Sequence, residues 1–345
     1  MLTIDTTALD AAVARNAFSG AVTVDVGDER VFERSEGFAQ RAAGVPNRPD
    51  TRFAMASGSK SFTALAVMAG IEAGELRLDQ RVREILGDDL PLIDDAVTVE
   101  HLLTHTSGIG DYLDEDSDWE ASDYVLTAPV HTLTTAEAFL PLVDGFPQKF
   151  APGVRFSYCN GGYIVLAILL ERTSGRTYHD VVRERVLDPA GLARTGFTRL
   201  DELPSGTAVG YLFGEGDRAN TLHLPVLGNG DGGAFTTADD LHRFWRALLA
   251  ARIVPASVVA DMTRPRVDVR DEGMRYGMGF WLHETGSALV LEGYDAGVSF
   301  RSTHIPTSAQ TPEITVSVLG NTSEGAWPVI SMLSAAIDGW LAQDA

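Results

Sequence analysis

The sequence has 345 residues, 45% apolar and 22% charged, with a net charge of −21. That length suits one large domain or two lobes on a shared core, and the negative excess repels nucleic-acid phosphates and anionic lipid, so neither is an expected partner. A single cysteine, Cys159, excludes an internal disulfide, and no run approaches the ~18 apolar residues of a membrane span.

The start, Met1-Leu2-Thr3-Ile4-Asp5, has neither a basic n-region nor an apolar h-region, and the expectation is a cytoplasmic chain. Residues 21–26 are β-rich and end on Gly27-Asp28; residues 30–38 read as the returning strand of a hairpin. A Gly/Pro-rich loop covers 44–50, and residues 59–76 read as a long, largely apolar helix. The middle of the chain, 77–225, carries helical patterns at 97–103, 163–173 and 179–186 between long loops. After Gly230 a Gly-rich turn leads into a helix over 237–250, with Asp239 and Asp240 in its first turn, where the helix dipole favours acids. Strand patterns return at 278–283, 288–291, 297–304 and 314–319, and an amphipathic helix closes the chain at 329–341. Strands at both ends with helices between them predict an α/β (α+β) fold. An antiparallel sheet is built from both termini, with an inserted, mostly helical lobe. The reading is one catalytic domain over 1–345, with lobes of 1–76 plus 226–345 and of 77–225 and a cleft between them.

The chemistry begins at Ser57-Gly58-Ser59-Lys60. At a helix start, residues three apart face the same side. A serine hydroxyl is a poor nucleophile until a base takes its proton, and a lysine whose pKa is depressed by burial can be that base. Lys60 is also conspicuous because Lys149 is the only other lysine among 27 basic residues. Helix N-terminal amides can stabilise an oxyanion. Tyr158-Cys159-Asn160 follows about a hundred residues later; a tyrosine beside the serine can pass its proton to a leaving group, and an asparagine can hold a substrate amide.

Four segments carry a resemblance: residues 53–63 around Ser57 and Lys60, residues 101–109 (His101 to Ile109), residues 152–163 around Tyr158 and Asn160, and residues 230–237. In this order they resemble the serine β-lactamase-like family, which includes class C β-lactamases, D,D-peptidases and β-lactamase-fold esterases. The resemblance implies that Ser57 is acylated, that Lys60 is its base, and that Tyr158 is a second proton carrier. It further implies that Asn160 orients the substrate and that no cofactor is needed. The family's K-T-G or H-x-G strand is matched by Leu291-Glu292-Gly293-Tyr294. Gly293 fits the glycine, and the Tyr294 N–H is the implied second oxyanion donor. The cation position holds Leu291, or Glu292 if the register slips by one. Only one of the two can face the cleft, since adjacent strand residues face opposite sides.

The missing cation disfavours substrates with a carboxylate, because an unpaired carboxylate on apolar or acidic surface is costly. The expectation is therefore an esterase or amidase acting on a small ester, amide or peptide through a Ser57 acyl-enzyme. The alternatives are a β-lactamase or D,D-carboxypeptidase, and a non-catalytic ligand-binding or sensor protein. If Glu292 faces inward, a substrate amine is possible. Other residues read structurally. His101 and His105 are spaced i, i+4 but lack the H-E-x-x-H glutamate and are assigned to packing or capping. Cys159 is read as a buried small residue. The acidic run from Asp111 to Asp123 is read as a solvated loop at the cleft rim, with a substrate-selecting lid, helped by Tyr112 and Trp119, as the alternative. Nothing in the pattern assigns an oligomeric state.

Overall fold

The computed structural model describes residues 4–115, 125–308 and 312–341; the expectations placed on Asp116 to Asp123 and on Trp119 lie outside the described residues. The central feature is an eight-stranded antiparallel sheet. Its strands are β1 (Gly20–Val26), β2 (Glu29–Glu36), β3 (Val267–Val269), β4 (Met274–Tyr276), β5 (Trp281–His283), β6 (Leu289–Asp295), β7 (Val298–Ile305) and β8 (Ile314–Gly320). They lie in the order β2-β1-β8-β7-β6-β5-β4-β3, so the two ends of the chain meet where β1 pairs with β8, with Val22 opposite Val318.

Alternation along β1 and β8 builds two cores. Val22, Val24, Val316 and Val318 face one side, where α1 (Thr6–Arg15) and the closing α5 (Trp327–Leu341) pack on them. Ala21 and Leu319 face the other side and join the larger core, which includes α2 (Lys60–Glu72), α3 (Asn160–Ser174) and α4 (Ala238–Leu249). In α4, Leu241, Phe244, Trp245 and Leu248 are buried at i, i+3, i+4 and i+7, the stripe of a helix lying on a sheet. The buried Trp245 Nε1 donates to Ser302 Oγ on β7 at 2.9 Å, so its polar atom is satisfied.

Several boundaries differ from the sequence reading. The hairpin is present, but Phe38 belongs to a separate short strand, Phe38–Gln40. The expected strand at 278–283 is confined to Trp281–His283, and β3, β4 and α1 had no counterpart in the reading. The 179–186 helix begins as Tyr178–Val182 and widens into a π-helical turn over Arg183–Leu187. Among the described residues no helix is long and apolar enough to cross a membrane.

Candidate active site

Ser57 sits in a tight helical turn, Ala56–Ser59, that leads directly into α2. The turn is pressed against the sheet by two glycines. A Cβ on Gly58 would lie 2.4 Å from Cε1 of Phe300 on β7, and a Cβ on Gly293 would lie 2.2 Å from the Met55 carbonyl oxygen. Any side chain at either place would push the nucleophile turn off β6 and β7. Ala56, just before Ser57, has φ +41°. Non-glycine residues in that region are strained by about 1–3 kcal/mol and persist where surrounding contacts over-determine them. Here the Ala56 carbonyl accepts from Ser59 Oγ at 2.9 Å and from the Gly233 N–H at 3.3 Å.

Lys60 follows one turn later and is 1% exposed. Its Nζ donates to Ser57 Oγ at 2.8 Å, Asn160 Oδ1 at 2.7 Å and the Asp231 carbonyl at 2.6 Å. All three acceptors are uncharged. Burial pushes the Lys60 pKa down, against the pull of Asp231, Glu115, Asp111 and Asp295. The ammonium also lies 4.8 Å from the centroid of the Tyr158 ring.

The Tyr158 hydroxyl lies beside Ser57, and burial holds its phenol well above the usual range, hence neutral. Its ring stacks on His105 with centroids 4.3 Å apart and on Trp281 at 6.0 Å. His105 is fully buried; its Nδ1 accepts from the Cys159 N–H at 3.1 Å and its carbonyl from the Ser157 N–H at 2.9 Å. It thus braces both sides of Tyr158. The two histidines do not share a helix face: the helix ends at Leu103, and His105 has φ +54°. His101 instead closes a capping box with Thr98.

Asn160 opens α3, three residues before the expected start. The Cys159 Sγ accepts from the Gly162 N–H at 3.3 Å, and Asp111 caps the same end, accepting from the N–H groups of Asn160 and Gly161 at 2.5 and 2.8 Å. Burial raises the Asp111 pKa to about 7 in spite of these bonds. The Asn160 carboxamide is engaged on both ends: Oδ1 holds Lys60, while Nδ2 donates to the Leu113 carbonyl at 3.2 Å and Glu115 at 3.0 Å.

The third motif resolves in one register. Gly293 faces the nucleophile turn, so Leu291 and Asp295 share its face of β6, and Leu291 is buried in the larger core. Glu292 points to the other side of the sheet, where it pairs with Arg301. Its expected place in the substrate site is therefore corrected: strand alternation puts it on the wrong face. A cleft opens over Ser57. Asn160, Tyr294 and Asp295 line it, as do Asp231, Glu115 and Asn229 from the loops. Asp231, Asn229 and Asp295 were assigned no role from sequence; Asp111 and Glu115 belong to the run read as a solvated loop, and for Asp111 that reading is corrected, since it is buried as the cap of α3. Asp231 and Asp295 lay inside quoted motifs, but the side on which they fall depends on loop packing that no spacing encodes.

Comparison with known proteins identifies the family. The Beta-lactamase family model matches residues 6–335. The chain belongs to the beta-lactamase family. A solved penicillin-binding protein from Bacillus halodurans is 36% identical, with a TM-score of 0.86 over 95% of this chain and 99% of that one. A D-aminopeptidase from Brucella anthropi is 30% identical over 83% of this chain and 54% of its own length. Esterase EstB from Burkholderia gladioli is 30% identical over 79% of this chain and 76% of its own. Across four curated relatives the chain spans only 49% to 62% of the relative's length.

Proposed function

We propose that this member of the family is a serine hydrolase that cleaves an ester or amide through a Ser57 acyl-enzyme. The observation that carries the reading is a buried lysine 2.8 Å from the serine oxygen, with neutral acceptors on its other sides and a depressed pKa. Three donated bonds use all three protons of an ammonium. When one proton leaves, the amine keeps two donors for Asn160 Oδ1 and the Asp231 carbonyl, and its lone pair is directed at the Ser57 hydroxyl. Lys60 then takes the Ser57 proton as Oγ attacks the acyl carbon. The N–H groups of Ser57 and Tyr294 are the oxyanion donors in this reading. Tyr158, neutral and beside Ser57, delivers a proton to the departing alcohol or amine as the bond to the acyl carbon breaks, and the proton that Lys60 took from Ser57 is relayed to Tyr158, so both groups are restored. Water then attacks the acyl-enzyme, and Ser57 regains its proton along the same path.

An ester or amide fits better than a β-lactam or a C-terminal D-Ala peptide. Leu291, buried in the larger core, holds the position at which the resemblance places a cation, and Asp295 and Asp231 line the cleft. Related proteins named D-aminopeptidase and esterase support the same direction. The test is hydrolysis of p-nitrophenyl acetate together with fluorophosphonate labelling read by mass spectrometry. Turnover and a Ser57 adduct are expected, both lost in Ser57→Ala; full turnover by that variant would sink the assignment. Nitrocefin should be hydrolysed poorly, and efficient turnover of it would overturn the substrate argument.

A further inference from the structure

Lys60 carries its amine on a long, flexible stem, and a base works only while its neighbours hold it within reach of the proton it takes. Besides Ser57 Oγ, its Nζ meets Asn160 Oδ1 and the Asp231 carbonyl. One stretch of loop, residues 111–115, holds both. The Leu113 carbonyl and Glu115 Oε1 accept from Asn160 Nδ2 at 3.2 and 3.0 Å, so the carboxamide keeps its oxygen toward Lys60. The Tyr112 hydroxyl donates to the Asp231 carboxylate and so fixes the residue whose carbonyl Lys60 meets.

The loop is itself fastened from inside by Asp111. That residue is 5% exposed, and its two oxygens accept from the N–H groups of Asn160 and Gly161 at 2.5 and 2.8 Å. A carboxylate at a helix start meets unpaired amides and the positive end of the dipole, and bonds of this charge-assisted kind are the stronger sort. Two glycines make room for the clasp. A Cβ on Gly161 would lie 3.1 Å from Asp111 Oδ1. One on Gly110 would lie 2.5 Å from Phe146 Cβ and 2.7 Å from the Pro147 carbonyl oxygen. Tyr112, Leu113 and Glu115 line the cleft, whereas Asp111 does not. Its bonds therefore serve the loop and not a substrate.

We infer that Asp111 is a positioning residue for Lys60. It clasps the 111–115 loop to the first turn of α3, and the loop then aims the lysine at Ser57 through Asn160 and Asp231. A second tie, Lys149 to Asp114 at 2.8 Å, fastens the same loop on its partly exposed side. The inference rests on the serine-hydrolase reading and gives its base a support.

The experiment measures turnover of p-nitrophenyl acetate by Asp111→Ala at a pH well above the Asp111 pKa of about 7, where the wild-type carboxylate is ionised. The kcat per folded molecule, with the folded fraction taken from thermal melts, should fall about 10²-fold, the cost of a misplacement on the order of 1 Å. KM should stay within about twofold, since Asp111 meets no substrate. A role in stability alone would lower the folded fraction and leave that kcat intact. The chain has two lysines, so isotope labelling at lysine Cε gives two NMR signals, assigned with Lys149→Arg. Relaxation of the Lys60 signal should report a rigid side chain in the wild type and a mobile one in Asp111→Ala. Asp111→Asn keeps one acceptor oxygen without the charge, should lose about fivefold or more in kcat, and stands in if the alanine variant does not fold. Asp114→Asn is the control and should leave both readouts near wild type. A folded Asp111 variant with a rigid Lys60 and a kcat within about twofold of wild type overturns the inference. Equal losses in Asp114→Asn overturn it too, because any tie on the loop would then matter alike. If the wild type turns over no ester and Ser57 takes no fluorophosphonate label, the hydrolase reading falls instead. The relaxation measurement then decides alone: mobility gained in Asp111→Ala upholds the clasp, and none overturns it.

Discussion

The two lysines of this chain occupy opposite kinds of surroundings. Lys149 is partly exposed, and its Nζ donates to the Asp114 carboxylate at 2.8 Å and to Ser157 Oγ at 3.0 Å. Lys60 is buried and meets only neutral acceptors at hydrogen-bond distance. An ion pair holds a proton on an amine, while burial among neutral groups loosens it. The difference teaches why one lysine can serve as a base and the other as a tie between a loop and the segment carrying Tyr158. Carboxylates are present near Lys60, but they act from a distance and leave its hydrogen bonds to neutral atoms.

The largest effect should come from exchanging each lysine for arginine. A guanidinium cannot release its proton, so Lys60→Arg should lower kcat/KM on p-nitrophenyl acetate by about 10³-fold, the scale of a lost general base. Lys149→Arg keeps a donor for Asp114 and should leave turnover near wild type. Comparable losses in both variants would break the comparison. A smaller effect is expected at the sheet beneath Lys60. Gly293→Ala places a methyl against the Met55 carbonyl and should cost about 1–3 kcal/mol in urea unfolding, as for other overpacked sites. Activity should fall with it, because the turn that holds Ser57 must move; unchanged stability would show that β6 and the turn can part freely.

The region around Lys60 was legible because its chemistry is local. Ser57 and Lys60 are one turn apart, and Tyr158 and Asn160 lie in a single tripeptide. The hairpin and α4 were legible because period-2 and period-3.6 patterns report directly on faces. What stayed hidden depends on contacts between distant segments. Asp111 reaches the start of α3 from 49 residues away. Asn229 and Asp231 enter the cleft from a loop whose path is set by packing on Tyr163 and Ala56. The choice between Leu291 and Glu292 was open in the sequence because alternation gives two faces without saying which is inward. The clash that Gly293 avoids decides it.

A titration sharpens the contrast further. The unfolded chain carries a lysine of pKa about 10.4, whereas folded Lys60 lies lower. Between those values the unfolded state binds the extra proton, so stability rises with pH. The contribution is weakest below the folded pKa and fully recovered above the unfolded one. Its slope is at most about 1.4 kcal/mol per pH unit. Lys60→Met should remove this rise from urea-unfolding curves measured across the alkaline range. A wild-type profile matching the variant's would show that Lys60 keeps its proton when folded. The kcat/KM of the wild type should rise with pH over the same window, since the base works only without its proton.

The smallest effect is expected at the other lysine. Asp114→Asn removes the carboxylate of a partly exposed pair, with Lys149 19% and Asp114 34% exposed. Pairs of that kind are worth at most about 1 kcal/mol, and the loss should shrink as salt is raised. The Ser157 hydroxyl remains as an acceptor for Lys149, so the segment bearing Tyr158 stays tied and turnover should hold. A salt-independent loss well above that size, with a matching fall in turnover, would mean that the Lys149 pair behaves as a buried charge supporting Tyr158. The two lysines would then belong to one catalytic unit rather than to two environments of opposite design.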